Sequence, residues 1–382
     1  MPTPTIYLDW NATTPPHPEV LDEMRRTLAH SWANPASVHA PGRRARAHLD
    51  DAREAVAHLT GLHARDVVLT SGGTEANNLA LFHAFTDGSP ASLIASRLEH
   101  PSVTRAAEEL ARRGTWVEWV DVSSAGLVTP EALERALDQA SRRAPVRLVC
   151  IQAVNHETGT IHPLGALLPM VHARGALLHV DAVQAVGRLP LADWSGGDLV
   201  ALAAHKIRGP KGIGALVTRP GLRLSPLLHG GSQERGIRPG TQDASLAAGF
   251  AVAAHRARST SDTYAALGVL RDRLEGALIS RGALRNGSGP RAPHVSNLSF
   301  PGWKGDELAA AMDLEGVAVS SGSACSAGTS EPSPVITAVA GDERARSALR
   351  ISLGEETSDG DVAEAIRRFQ RVLGRGPAVS TG

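Results

Sequence analysis

Residues 198–211, Asp-Leu-Val-Ala-Leu-Ala-Ala-His-Lys-Ile-Arg-Gly-Pro-Lys, end an apolar run in His205-Lys206. Of the 39 lysine and arginine residues in the chain only three are lysines, and Lys206 is one of them. An amine can act as a nucleophile and form a Schiff base, whereas a guanidinium keeps its proton and cannot. Position adds to type, because Lys206 follows directly on a predicted strand.

Other residues fall at similar places. In "LTSGGTEANN" (69–78) a strand ends, Gly72 and Gly73 turn the chain, and a helix begins near Thr74. The free N–H groups and positive end of a helix start favour an anion, the glycines allow close approach, and a phosphate is the natural guest. The pattern is neither a P-loop nor GxGxxG, which disfavours a nucleotide. Asp181, in "HVDAVQAVG", closes another apolar strand at the end that faces the crevice of a parallel sheet. A carboxylate there needs a cation or donors, such as a protonated ring nitrogen, and Gln184 can donate to an oxygen on the same ring. His100, in "RLEHPSV", follows a strand at a helix start, where an imidazole can stack on an aromatic ring and relay protons. Asn155, in "AVNHET", ends a further strand. Each has a plainer reading as a cap, a turn residue or a chance lysine. Taken in order at successive strand ends, a phosphate cradle, a ring-nitrogen carboxylate, a stacking imidazole and a Schiff-base lysine describe a pyridoxal 5'-phosphate site.

The elements that must hold them are legible as a rhythm. Short apolar runs at 66–70, 92–96, 115–120, 146–154, 176–183 and 198–204 alternate with helical patterns, and 213–219 follows closely enough to be a hairpin partner. This predicts an α/β domain with a mostly parallel sheet covered by helices. After about residue 260 a long amphipathic helix, strands at 294–300, 317–322 and 347–354, and a final helix near 358–373 read as a smaller α+β unit. The small-residue stretch 320–334 is its least structured part, and the tail 376–382 is expected to be disordered.

Composition narrows the function. The 39 basic and 39 acidic residues balance, so no electrostatic footprint for nucleic acid or an anionic membrane is present. The chain has two cysteines, Cys150 and Cys325, and no CxxC, which excludes a thiolate zinc site; no metal is expected. No signal peptide and no run of about 18 apolar residues is seen, so a cytoplasmic protein is the default expectation. Cys150 lies in an apolar strand and reads as buried and inert. Cys325 lies in a polar loop, where a thiol ionises more readily.

Together "YLDWNATTPPHPEV", "NPASVH", "TSGGTEANNLA", "VNHETG", "HVDAVQAVG", "HKIRGPKGIGAL", "ERGIRPGTQD", "SSGSACS" and "ALRISLG" resemble the cysteine desulfurases, over about residues 6–370. The resemblance is strongest to the group whose long cysteine-bearing loop serves iron–sulfur cluster assembly. It implies the aspartate aminotransferase-like pyridoxal-phosphate fold type I, with a large domain over 15–260 containing a mostly parallel seven-stranded sheet. A small α+β domain would combine 1–14 with 261–375 and carry the cysteine loop 320–334. It also implies a homodimer acting on L-cysteine and delivering sulfur to a protein acceptor such as an iron–sulfur scaffold.

Residue by residue, the resemblance makes Lys206 the Schiff-base amine, Asp181 the partner of the pyridine nitrogen and His100 the stacking ring and proton relay. Asn155 and Gln184 would touch the phenolic oxygen. Gly73, Thr74 and His205 would hold the phosphate, with Thr241 reaching in from the partner subunit. Arg350 would clamp the substrate carboxylate, helped by Asn34 and beside Asn155, and Cys325 would accept the sulfur. Three positions depart from the pattern: Ala203 stands where a phosphate-binding serine is usual, His156 replaces asparagine and Ser232 replaces glycine. One charge-assisted hydrogen bond lost at Ala203 costs roughly 1.5–3 kcal/mol if nothing replaces it. The alternatives are a selenocysteine lyase or another lyase or aminotransferase of the same fold, and, from another class, a non-catalytic sulfur-relay scaffold.

Overall fold

Residues 5–322 and 332–376 are described by the structure, a computed structural model. Cys325 and the tail beyond residue 376 lie outside them, so the expectations for both have no structural counterpart here.

In chain order the first elements are β1 (Ile6–Tyr7), α1 (Pro18–His30), α2 (Ala40–Thr60), β2 (Val67–Thr70), α3 (Gly73–His83), β3 (Ser92–Ser96), α4 (Pro101–Arg112) and β4 (Trp116–Val120). There follow α5 (Pro130–Ser141), β5 (Val146–Cys150), α6 (Leu164–Ala173), β6 (Leu177–Asp181), β7 (Leu199–Ala203), β8 (Gly214–Thr218) and α7 (Ala244–Ala257). The remainder comprises α8 (Ser261–Ile279), β9 (Leu284–Arg285), β10 (Val295–Ser299), α9 (Gly305–Leu314), β11 (Val317–Ala318), α10 (Pro334–Ala340), α11 (Asp342–Arg346), β12 (Ala348–Ser352) and α12 (Asp359–Arg375).

A seven-stranded sheet runs β2-β8-β7-β6-β5-β3-β4. Neighbours from β7 to β4 pair in parallel, and β8 is antiparallel to both β7 and β2. Its central strands are apolar almost throughout, as strands covered on both faces must be. Alternation then splits each strand between two cores. Leu199, Ala201 and Leu216 pack with Leu79 of α3 and Val103 of α4. Val200, Leu202, Ala215 and Val217 pack with Val56 of α2, Leu133 of α5, Leu167 of α6 and Phe250 of α7. The expected hairpin at 213–219 is present as β8. The run 146–154 is strand only to Cys150, because residues 151–162 turn back in a short bridge between Val154 and Ile161.

A separate apolar cluster joins Ile6 and Leu8 to Tyr264, Leu298, Leu349 and Phe369. There β12, β10 and β9 form an antiparallel sheet, and β1 pairs in parallel with β11. The expected strand at 317–322 is shorter, Val317–Ala318, and beyond it Ser320 bridges to Arg350.

The consequence for function is geometric. The carboxyl ends of β2, β3, β5, β6 and β7 open on one edge of the large sheet. Antiparallel β8 begins at that edge, with Gly214 paired to Thr70 on one side and Ala203 on the other.

Candidate active site

A cavity of about 190 Å3 opens at that edge. It is lined by seven residues expected from the sequence, Gly73, Thr74, His100, Asp181, Gln184, His205 and Lys206. Asn77, Ser102, Gln152, His156 and Ala203 also line it.

Lys206 ends a short helical turn that follows β7. Its Nζ donates to the carbonyl oxygens of Asn11 and, at 2.8 Å, Ala12. These carbonyls hold the amine at the cavity wall. Asp181 is the last residue of β6 and is 7% exposed. Its Oδ1 accepts from the Val183 amide at 3.0 Å and its Oδ2 from Asn77 Nδ2 at 2.8 Å. Gln184 donates to the Asn11 carbonyl at 3.0 Å and accepts from Arg188. His205 lies 3.1 Å from Thr13 Oγ1 through Nδ1. Burial, with the Lys206, Arg188 and Lys211 charges, pushes its pKa down to about 4, so the ring is neutral at neutral pH.

Helix α3 begins at the cavity with no side-chain cap on Gly72. The glycines are required by contact. A Cβ on Gly73 would lie 2.9 Å from Val183 Cγ2, and one on Gly214 would lie 2.7 Å from the Gly72 Cα. This leaves an uncapped helix start, positive in its dipole, with Thr74 beside it.

His100 caps α4, its Nδ1 accepting from the Ser102 amide at 3.1 Å, and Pro101 follows at the first helical position. The ring meets His156 edge-on, with centroids 5.4 Å apart at 73°. Burial lowers the His100 pKa, the Lys206 charge adds to this, and Asp181 opposes it. His156 is fully buried and held well below the ordinary histidine range by burial and by His100, Arg350 and Lys206. Its Nδ1 has no hydrogen-bond partner among the described residues.

Several expectations change. Asn155 is not among the residues that line the cavity: its Oδ1 accepts from the Glu157 and Thr158 amides and the Thr158 hydroxyl, and its Nδ2 donates to the Leu98 carbonyl. It shapes the turn after β5, and of the two amides only Gln184 faces the cavity. Asn34 and Thr241 line a different cavity, of about 610 Å3, with Arg53 and Glu234. Asn34 is therefore away from Lys206 in its own chain, and its Oδ1 accepts from the Ala36 amide. Arg350 also stands outside the cavity wall, behind His156, whose carbonyl accepts from Arg350 Nη1 at 3.2 Å. Cys150 is fully buried and its thiol pushed well up by burial and by Glu99 and Asp181, as an inert cysteine would be.

Asn77, Ser102 and His156 escaped the sequence reading. Asn77 follows Thr74 by three residues on the same helix face, and Ser102 follows the N-cap His100 by two, where the capping side chain reaches its amide. His156 was noted only as a departure. The cavity residues fit pyridoxal 5'-phosphate. An amine, a carboxylate fixed by two donors, and an uncapped helix start cleared by two glycines converge on one space.

The aminotransferase class-V family model matches residues 6–364. Cysteine desulfurase IscS of Serratia proteamaculans is 39% identical over 97% of this chain and 93% of its own length. A solved NifS-like protein superposes with a TM-score of 0.89 at 31% identity, covering 97% of this chain and all of its own. SspA in complex with cysteine superposes at 0.80 with 30% identity, covering 92% of this chain and 99% of that one. With its sheet, its cavity and its lysine arranged in this way, the chain belongs to the aminotransferase class-V family and groups within it with the cysteine desulfurases.

Proposed function

We propose that the protein is a pyridoxal-phosphate-dependent cysteine desulfurase, converting L-cysteine to L-alanine and passing the sulfur on as a persulfide of Cys325. The observation that carries this reading is the meeting of Lys206, Asp181 and the uncapped start of α3 in one cavity. The cysteine desulfurase relatives and the cysteine-bound SspA support the substrate.

Lys206, His205, Thr74, Gly73, Asp181, Gln184 and His100 would hold the cofactor, with Thr241 of a second copy completing the phosphate site in a homodimer. When bound, the cofactor supplies an electron sink for the charge that develops at the substrate Cα. The chain does the rest. Lys206 Nζ, steadied by the Asn11 and Ala12 carbonyls, takes the Cα proton. Asp181, oriented by Asn77 and Val183, fixes the ring end of the site. Arg350 would supply the guanidinium for the substrate carboxylate, although here it stands outside the cavity wall, donating to the carbonyl of the wall residue His156. Cys325 attacks the substrate sulfur: an S–S bond forms, the Cβ–S bond breaks, and its electron pair, with a proton, makes the methyl of alanine. His100 relays protons at that sulfur. Ser320 and Ser333 flank the segment containing Cys325 in sequence, and they bond to the Arg350 backbone and to Glu157 Oε2. A protein sulfur acceptor such as an iron–sulfur scaffold and a cytoplasmic setting follow from the same reading. Among the described residues no helix is long and apolar enough to cross a membrane.

The test is an absorption spectrum of the purified protein before and after cysteine, with sulfide and alanine quantified. The protein is expected to be coloured, to change on adding cysteine, and to release both products. Lys206→Ala is expected to release neither. Cys325→Ala is expected to stop persulfide formation. A colourless protein, or full activity in Lys206→Ala, overturns the reading.

A further inference from the structure

Beneath the cavity a chain of hydrogen bonds joins the two groups on which the site depends. Asn77, 1% exposed, donates from Nδ2 to Asp181 Oδ2 and to Ser102 Oγ, both at 2.8 Å. Ser102 Oγ lies 2.8 Å from His100 Nδ1. On the other side, Asn77 Oδ1 lies 2.9 Å from Nε2 of the fully buried His179, whose Nδ1 is 3.2 Å from the Leu199 carbonyl.

Around His100 these contacts permit one assignment of protons. An ionised carboxylate only accepts, so Asn77 must turn its amide nitrogen to Asp181. Reversing the amide would set two oxygens 2.8 Å apart. Both Asn77 N–H groups are then used, one on Asp181 and one on Ser102. Because Ser102 Oγ accepts from Asn77, its single hydrogen goes to His100 Nδ1. That nitrogen also receives the Ser102 backbone N–H at 3.1 Å, so it is an acceptor twice over. A neutral imidazole has one N–H, and for His100 it must sit on Nε2. Asn77 Oδ1 faces His179 Nε2, while His179 Nδ1 faces the Leu199 carbonyl, so this ring meets an acceptor at each nitrogen.

We propose that Asn77 is a positioning residue that, through Ser102, locks Asp181 and the Nε2–H form of His100 into one oriented unit. His100 thus presents to the substrate a neutral N–H, a hydrogen-bond donor, rather than a bare nitrogen. Protonating Nδ1 would break both Ser102 bonds, so the network holds the ring neutral, and burial acts in the same direction. The inference deepens the proposed function of this cavity, but its test needs no turnover.

The test is 15N NMR of histidine-labelled full-length protein at neutral pH, with signals assigned through His100→Gln and His179→Gln. The His100 ring is expected to show a protonated Nε2 and a bare Nδ1. In Ser102→Ala, and less so in Asn77→Leu, the His100 Nδ1 signal is expected to shift as the hydroxyl bond is lost or weakened, while the Ser102 amide keeps Nδ1 an acceptor; Ser102→Thr, which keeps the hydroxyl, retains the wild-type pattern. In the two disruptive variants kcat for cysteine is expected to fall, by less than the roughly 100-fold that follows loss of a general acid, with KM unchanged. A wild-type His100 protonated at Nδ1, or His100 signals unmoved in both variants, overturns the inference. A protein whose His100 carries its proton at Nε2 but that does not desulfurate cysteine sinks the proposed function and leaves this assignment standing.

Discussion

Arg350 donates from Nη2 to Asp9 Oδ1 at 2.7 Å, a pair separated by 341 residues of sequence. Arg350 is 2% exposed, on β12, and Asp9 bridges to Ser352 of the same strand. The guanidinium proposed for the substrate carboxylate is thus preset by a carboxylate of the chain's own N-terminal segment. Removing one partner of a buried pair leaves the other charge uncompensated, which costs roughly 3–5 kcal/mol. Because the Asp9 side chain is 18% exposed, Asp9→Ala is expected at the lower end of that range in urea unfolding. A loss below about 1 kcal/mol would show that the His156 carbonyl alone holds the guanidinium.

Acid stability follows from histidines buried without charge. His162 is 2% exposed, and neither of its ring nitrogens has a hydrogen-bond partner among the described residues. Burial alone pushes its pKa from 6.5 to about 4. In the unfolded chain the ring keeps its ordinary value. Between these two pH values the unfolded state therefore binds the extra proton. The stability His162 contributes is complete above about pH 6.5 and declines as pH falls toward 4. One such group adds a slope of about 1.4 kcal/mol per pH unit. Unfolding free energy measured across this window is expected to fall with pH, and less steeply in His162→Leu. An identical slope in the variant would mean that the folded ring already carries its proton.

The sheet was legible because its strands are covered on both faces, and such strands must be apolar runs bounded by turns. Helices α1, α2, α5, α6 and α7 went unnamed, since in them small and charged residues dilute the 3.6-residue pattern: in α2 "PGRRARAHLDDAREAV" hides a buried stripe of Ala45, Leu49, Ala52 and Val56. Lys206, Asp181, His100 and Thr74 were legible because a parallel sheet puts strand ends on one edge. Asn155 was expected at the ligand, whereas here its amide is spent on its own loop. A turn asparagine can spend its amide on its own loop as readily as on a ligand, and only the contacts distinguish the two. Asp9 was invisible as the partner of Arg350, because nothing in local sequence connects residues so far apart. Asn77 lay within a motif already singled out, but its role depends on His179 and Ser102 converging from two other elements.

At Ala203 the cavity wall carries a methyl group, and the ideal Cβ of Gly73 would lie 3.7 Å from it. Ala203→Ser places a hydroxyl beside the uncapped start of α3, where an anion is expected. One charge-assisted hydrogen bond is worth roughly 1.5–3 kcal/mol, or about ten- to a hundredfold in affinity. Equilibrium titration of cofactor-free protein with pyridoxal 5'-phosphate is expected to show that gain. An unchanged dissociation constant would mean that another donor already fills the position.

Thr241 lines the cavity of about 610 Å3 rather than that of Lys206, so any part it plays at the phosphate must be in a second copy. Its loop is built to hold a fixed shape. Glu234 (φ 45°) and Arg235 (φ 58°) adopt left-handed backbone that side chains disfavour. The buried Glu234 carboxylate compensates by accepting from the Leu69 amide at 3.0 Å and from Arg53 and Gln242. Thr241→Val is expected to weaken cofactor binding about ten- to a hundredfold, as loss of one phosphate hydrogen bond would. Hybrid dimers of Thr241→Val with Lys206→Ala separate the two arrangements. If Thr241 acts across the interface, the chain that keeps Lys206 receives a threonine from its partner, and one site per dimer recovers wild-type affinity and activity. If it acts within its own chain, no intact site forms in any hybrid, and the mixture performs no better than the separate variants.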